Sequence, residues 1–402
     1  MSRLRYLTAG ESHGEGLTGI LEGCPAGLSL SAADIDADLA RRQGGYGRGG
    51  RQAIEKDAVR ILGGVRHGVT TGAPLALFVK NRDAANWGVT MAVEAPAQGP
   101  AEPEPGGESP PPVAGAEDSV RVPRPGHADL GGALLYDLDD IRDVIERASA
   151  RETAMKVACG AVAKRILTEI GCRVVSHVIA VGGERSPASM TPDDVAAVEA
   201  DPVRCLDSEA GRRMCAAIDA AGARGDTLGG VVEILAFGYP PGVGTYAQGD
   251  RRLQARLAGA VMTVPAMKGV EFGLGFAAAS LPGSRVHDPL GYDAERGYVR
   301  CANNAGGVEG GISTGEPIVL RVAMKPIATL REPLASVELG SHREVESRFE
   351  RSDVCAVPAA GVVLEAVVAL TLADAALERF GGATVEDLAA AVDAFLRRVR
   401  ER

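Results

Sequence analysis

Strands and helices alternate along this sequence, so the chain is expected to be α/β or α+β. Two observations carry that expectation. Seven runs rich in apolar and β-branched residues read as strands: Arg5–Ala9, Thr18–Glu22, Ala58–Leu62, Leu75–Lys80, Val174–Val181, Val231–Phe237 and Ile318–Met324. Among them, helix starts are marked chemically. Ser31 with Asp34 opens a helix running through Leu39, and Thr191-Pro192-Asp193-Asp194 combines an N-cap with proline at the first helical position. Ser149 and Glu152 form an S-x-x-E capping box ahead of Ala154, Ala158, Val162, Ile166 and Ile170, so a helix is expected to start at Ser149 and to close at Gly171. Thr384 with Asp387 opens a last helix that ends in the basic run Arg397 to Arg402. Ile20 to Gly27 weakly echoes Ile234 to Gly242, each a strand, a Gly/Pro turn and a helix-like segment, which points to two related halves.

Composition narrows the function classes. The chain has 402 residues, 46% hydrophobic and 24% charged, enough to bury one large core. With 43 basic and 53 acidic residues the net charge is −10, a field that repels phosphate backbones and anionic lipid, so neither nucleic acid nor a membrane surface is an expected partner. The N-terminus turns polar within a dozen residues, and the apolar stretch Gly361 to Leu377 is broken by Glu365 and Asp374, so no signal peptide or membrane span is expected. Seven cysteines without a C-x-x-C pair suggest free thiols and a cytoplasmic protein with no metal site. Ala95 to Glu117 holds seven prolines, four glycines and four glutamates with no basic residue, and reads as a flexible surface insertion within a single domain. Glycine, at 52 residues, is far above the usual share of roughly 7%, so the backbone turns tightly or approaches something closely at many points.

Several motifs carry chemistry. Gly10-Glu11-Ser12-His13-Gly14 fits the nucleophile elbow G-x-S-x-G, yet a strand follows where that elbow needs a helix; a plain hairpin and a functional His13 on a tight turn are the other readings. Arg41 to Arg51 packs four arginines and five glycines into eleven residues with no acid. Gly45, Gly47 and Gly50 satisfy G-x-G-x-x-G, but a helix precedes them where a dinucleotide fingerprint needs a strand, and an RGG-type RNA segment would repeat. Arginine forks on a glycine-rich loop suit a small polyanion. Arg147 and Arg151 flank the expected helix start, where free amides and the helix dipole favour an anion; two surface arginines beside an ordinary cap are the alternative. Pro125-Gly126-His127-Ala128-Asp129 sets a second histidine on a turn, alone a weak signal, and His67, His177, His287 and His342 read as ordinary surface or core residues. Asn303 to Gly315, with five glycines in thirteen residues, reads as a loop for backbone approach to a planar or phosphorylated ligand, and Arg351-Ser352-Asp353 offers a further cation with a nearby acid.

Taken in order along nearly the whole chain, GESHG, GYGRGGR, RPGHADL, RASARETA, DTLGG, NNAGGVEGG, KPIATL and RSDVCAVPAAG closely resemble the chorismate synthase family. The resemblance implies a cytoplasmic lyase of aromatic amino-acid biosynthesis that turns 5-enolpyruvylshikimate 3-phosphate into chorismate and phosphate by 1,4-anti elimination. It implies reduced FMN as cofactor, a homotetramer, and a subunit built as a β-α-β sandwich with helices packed between antiparallel-rich sheets. No dinucleotide motif decides whether NADPH reduces the flavin on this chain or the flavin arrives reduced. By motif, His13 would protonate the departing phosphate, His127 would stabilise the anionic reduced flavin, and Asp353 would assist proton removal there. Beside phosphate a histidine gains proton population, so both histidines can be acids at neutral pH.

The resemblance further implies that Arg42, Arg48, Arg51, Arg151 and Arg351 hold the substrate's phosphate and carboxylates. Arg42, Arg48, Arg147, Ala148, Ser149, Gly310, Lys325, Pro326, Ile327, Ala328, Thr329 and Arg351 fall at its cofactor-contact positions. Pro265 and Ala266 align where the family usually carries an amide side chain followed by alanine, so a side-chain donor is missing there. A flavin- or NADPH-dependent oxidoreductase acting on a small phosphorylated anion is the other enzyme reading, separable by stoichiometric use of reductant. A phosphometabolite sensor would bind without releasing phosphate.

Overall fold

In the computed structural model, residues 3–49, 55–94, 119–348 and 353–402 are described. Arg51, Arg351 and the Pro-rich insertion lie outside them. Strands β1 (Arg5–Ala9), β2 (Gly16–Glu22), β3 (Val59–Gly63) and β4 (Leu75–Lys80) form an antiparallel sheet in the order β1-β2-β4-β3. Strands β5 (Arg173–Val181), β6 (Gly230–Phe237), β7 (Met267–Phe272) and β8 (Ile318–Met324) form a second, in the order β5-β6-β8-β7, with Glu184–Arg185 added at the β5 edge. Period-2 patterning sets the inner faces: Leu17 and Leu21 of β2 and Leu75, Leu77 and Val79 of β4 are buried.

The described helices are α1 (Ala32–Gln43), α2 (Asp129–Tyr136), α3 (Arg142–Arg147), α4 (Thr153–Thr168), α5 (Val195–Ala200), α6 (Ser208–Ala223), α7 (Leu253–Met262), α8 (Val357–Phe380) and α9 (Val385–Arg400). Capping boxes form at Ser31/Asp34, Thr191/Asp194 and Thr384/Asp387, as their spacing predicts. Helices α4 and α8 fill the space between the sheets. A Cβ on Gly19 of β2 would come within 2.6 Å of Met155 on α4, and one on Gly160 of α4 would come within 2.3 Å of Ala366 Cβ on α8. Helix α8 in turn lies on β5 and β6. The sandwich of sheet, helices and sheet is therefore present.

The two halves repeat one topology. The order β1-β2-α1-β3-β4-α4 is followed by β5-β6-α7-β7-β8-α8, and the sheets have the same strand order. The echo in the sequence falls at matching turns: Gly23 and Gly27 follow β2 at φ of +88° and +89°, and Gly238 and Gly242 follow β6 at +71° and +77°.

Helix α8 has the length and apolarity of a membrane span, but 94% of its most apolar window is buried between the sheets. That burial sets an electrostatic requirement. Glu365, fully buried on α8, accepts hydrogen bonds from Lys164 at 2.6 Å, from Arg41 at 2.9 and 3.0 Å, from Ser176 at 2.6 Å and from Arg204 at 3.2 Å. Burial pushes the carboxyl up, yet Lys164, Arg41 and Arg204 outweigh it and hold the group well below the usual carboxylate range. Glu365→Gln leaves those cations around a neutral amide and should destabilise the fold by about 3–5 kcal/mol in denaturant unfolding. A loss below about 1 kcal/mol would contradict this account of the core.

Candidate active site

Helices α4 and α8 both begin at one cavity of about 550 Å³. Ala150, Arg151 and Thr153 line it at the head of α4, and Ala356, Ala359, Ala360 and Val363 at the head of α8. Two helix N-termini thus converge there, each with a positive dipole end. The regular helix starts at Thr153, not at Ser149 as the capping box predicts. Ser149 accepts from Arg151 N at the head of a 3-10 turn, Ala150–Glu152, and Glu152 pairs with Lys156 instead of returning to the cap. The Ala150 carbonyl is held by Thr153 Oγ1 at 2.6 Å and by Arg42 Nη2 at 3.0 Å, which favours the tighter turn. Ser12, the candidate elbow serine, meets Ser149 Oγ at 3.1 Å and leads into strand β2, so the hydrolase architecture is not formed.

The predicted cations separate into those that reach the cavity and one that does not. Arg42 and Arg151 line it and share Asp57, at 3.3 and 2.5 Å; Arg151 Nε also donates to Asn81 Oδ1 at 2.9 Å. Burial, with Arg151 and Arg48 close by, pushes Arg42 down to about 10 against the opposing pull of Asp57. Arg48 pairs with Asp353 at 2.8 Å, and Asp353 also accepts from Gly49 N at 2.6 Å, so this acid anchors the arginine loop. Arg48 Nε is buried without a hydrogen-bond partner among the described residues, whereas Arg151 Nη2 faces the Glu55 carboxylate at 3.7 Å. An orphaned donor such as Arg48 Nε calls for a ligand acceptor. Arg147 turns away, its Nη2 bonded to the carbonyl and hydroxyl of Thr8, so it does not flank an anion at this helix start.

Both singled-out histidines face the cavity. His13 Nδ1 lies 2.8 and 2.9 Å from the carboxylate oxygens of Glu146, and its ring stacks on Trp87 with centroids 3.9 Å apart. His127 lies on a turn closed by Arg124, which grips Asp129 at 2.8 and 3.0 Å; its Nε2 approaches Thr329 Oγ1 at 3.4 Å. Burial first, and then the Arg124 charge, lowers the His127 pKa below 6.5. His127 is therefore mostly neutral at neutral pH in the free protein; the expectation that both histidines can act as acids concerns the site with phosphate beside them.

Opposite the helix starts, Val264, Pro265, Ala266 and Lys325 to Thr329 form a wall that is apolar apart from Lys325 and Thr329. Ala266 keeps a positive φ of +69° and its carbonyl accepts from Lys325 N at 3.0 Å. Burial, followed by the neighbouring charge of Lys268, lowers the Lys325 pKa. Lys268, Glu55 and Glu146 also line the cavity and were not singled out from sequence. Lys268 follows the Pro265-Ala266 pair by two residues, a usable signal; Glu146 meets His13 across 133 residues, which no local pattern shows.

The glycine loops serve packing more than ligand approach. A Cβ on Gly45 would lie 2.8 Å from Pro358, and one on Gly47 would lie 3.0 Å from Cys355, so these positions seat the arginine loop on the head of α8. In the 303–315 loop, Cβ atoms on Gly306, Gly307 and Gly311 would strike backbone within 2.5 Å. Gly310 alone among these four has open space, and it lines a second cavity of about 430 Å³ with His287 and Asp288, not the first.

Comparison with known proteins agrees with this geometry. The sequence profile described as chorismate synthase matches residues 4–377. The chain is 54% identical over 381 residues to chorismate synthase 1 of Bacillus cereus, covering 94% of this chain and 95% of that protein. It is 52% identical over 400 residues to chorismate synthase of Desulforudis audaxviator, covering 99% and 98%. A solved structure titled "Crystal Structure of Chorismate Synthase" superposes with a TM-score of 0.78 at 38% identity, covering 100% of both chains. A β-α-β sandwich whose two central helices start at one cation-rich cavity, matched from end to end by these relatives, places the chain in the chorismate synthase family, lyases of the shikimate pathway.

Proposed function

We propose that the cavity holds reduced FMN beside 5-enolpyruvylshikimate 3-phosphate and that the residues lining it carry out the 1,4-anti elimination. The observation that carries this reading is the convergence of two helix N-termini with Arg42, Arg48, Arg124, Arg151, Lys268 and Lys325 on a single cavity. Such a site suits a multiply anionic substrate. A planar ring fits as well: Pro265, Ala266, Pro326, Ile327 and Ala328 offer a wall, and the unsatisfied Arg48 Nε offers a donor to its polar atoms. Reduced FMN, when bound, supplies the electron density that side chains lack.

The chain's own groups divide the remaining work. Arg42 and Arg151, fixed by Asp57, would grip the phosphate and carboxylates without reorganising when charge develops. His13 would give a proton to the departing phosphate. His127, neutral, would present an N–H to the flavin, and Asp353, which holds Arg48 in place, would assist proton removal. Arg51 and Arg351 are proposed to complete the clamp, and Ala148, Ser149, Lys325 to Thr329 and Pro265-Ala266 to hold the cofactor.

Gly310 and Arg147 reach the cofactor only if it extends past this cavity or a second copy completes the site. A homotetramer, a cytoplasmic location, NADPH as a reductant and one catalytic domain, 1–402, with 95–117 inserted in it complete the reading. Assembly has support in the outer face of the first sheet, where the cross-strand partners Leu7 and Ile20 are 66% and 39% exposed.

Two outcomes follow. His13→Ala should lower kcat roughly 10²-fold or more and leave flavin affinity little changed, whereas His127→Ala should alter the difference spectrum of bound reduced flavin as well as the single-turnover rate. If both perturb the spectrum alike, or neither slows turnover by about tenfold, the division of labour is wrong. The second outcome concerns pH. Because His127 takes up its proton at lower pH folded than unfolded, the unfolded chain binds more protons as pH falls through 6.5, and stability is lost from there down to the folded pKa. His127→Gln should therefore show a smaller drop in Tm between about pH 7.5 and about pH 5.5 than the parent; an equal drop contradicts the assignment.

A further inference from the structure

His13 is held by more than its own turn. Glu146, almost wholly buried, accepts from the His13 backbone N at 2.9 Å, and its backbone carbonyl accepts from Ser12 N at 3.1 Å. Its carboxylate also takes His13 Nδ1, at 2.8 and 2.9 Å. One residue thus fixes both the turn and the ring. The ring's plane is set from another side by Trp87, the chain's single tryptophan, stacked at an interplanar angle of 23°. Trp87 is fixed in turn: its Nε1 donates to Asp83 Oδ2 at 3.2 Å, and the Arg142 guanidinium lies 5.5 Å from its ring centroid. Arg142 and Glu146 are four residues apart on α3, so one face of that short helix supports both the indole and the imidazole.

A carboxylate only accepts, so Nδ1 must carry the proton in this arrangement. Among the described residues Glu146 is the polar partner of the imidazole, which leaves Nε2 to the cavity that His13 lines. We propose that Glu146 is the positioning residue for His13: it selects the flip and tautomer that turn Nε2 toward the substrate, while Trp87 fixes the plane in which that nitrogen points. The inference rests on the reading of His13 as proton donor. Donation needs the imidazolium, with Nδ1–H held by Glu146 and a second proton on Nε2; that proton must be delivered along one line to the departing oxygen, leaving the Nδ1–H tautomer behind. A ring free to turn over would spend part of its time with carbon facing the leaving group.

Anaerobic turnover with chemically reduced FMN supplied in excess, measured on the full chain, tests this together with Trp87 emission. The variants are Glu146→Gln, Glu146→Asp, Trp87→Leu, His13→Ala and the pair His13→Ala/Glu146→Gln. Glu146→Gln should lower kcat about 10- to 100-fold with KM within about twofold, and Glu146→Asp should recover part of the loss. It should also change Trp87 emission in the direction that His13→Ala does, because the stacked ring has lost its hold. In the His13→Ala background, Glu146→Gln should cost nothing further, since Glu146 acts only through that ring. Trp87→Leu should slow turnover severalfold, again only while His13 is present; where Gln at 146 prevents folding, Glu146→Asp and Trp87→Leu carry the same cycle.

Equal losses with and without His13, or a Glu146→Gln kcat within about twofold of the parent while His13→Ala is slow, overturn the inference and leave the donor reading standing. A His13→Ala enzyme with the parental rate overturns the donor reading, and the inference with it.

Discussion

The structure depends on two helices that have no face left for water. With a sheet on either side and each other between, α4 and α8 tolerate only small or apolar residues along most of their length, and they approach closely enough that Gly160 admits no side chain opposite Ala366. The same confinement explains Glu365. An acid in that layer persists only because α1, α4 and the segment after α5 bring Arg41, Lys164 and Arg204 to it. Those ion pairs lock the helices to one another lengthwise as well as laterally.

Function follows from where the two helices begin. Because the halves share one topology, α4 and α8 are equivalent elements, and their N-termini open together on the cation-rich cavity. The first half supplies Ser12, His13, Arg42, Arg48 and the 148–153 turn; the second supplies Val264 to Lys268, Met324 to Thr329 and the segment after Asp353. The four arginines are already paired before a ligand arrives: Arg42 and Arg151 with Asp57, Arg48 with Asp353, Arg124 with Asp129. Such a site does not reorganise as negative charge develops on a departing group.

Much of this was legible in the sequence because its causes are local. Strands Leu75–Lys80 and Ile318–Met324 and the caps at Ser31, Thr191 and Thr384 rest on period-2 patterning or on one side chain meeting a backbone amide three residues away. The family resemblance likewise ran on contiguous motifs, and it brought His13, His127, Arg42, Arg48, Arg151 and Asp353 to one cavity. What stayed hidden is long-range. Asp57 under the two arginines and Glu146 behind His13 act across distances in sequence that no spacing encodes. The Ser149 box failed for the same reason, since Arg42 competes for the turn from another helix. The glycine loops misled because a glycine that admits a neighbouring backbone is indistinguishable, in sequence, from one that admits a ligand.

If the cavity uses reduced flavin as proposed, phosphate is eliminated without spending the cofactor. Multiple-turnover assay under strict anaerobiosis, with FMN reduced chemically and present far below the substrate 5-enolpyruvylshikimate 3-phosphate, tests it most directly. The account predicts many equivalents of phosphate and chorismate per flavin, with the flavin absorbance still that of the reduced form when substrate is exhausted. Phosphate release that stops at one equivalent per flavin, with the flavin left oxidised, would contradict it and mark the protein as an oxidoreductase.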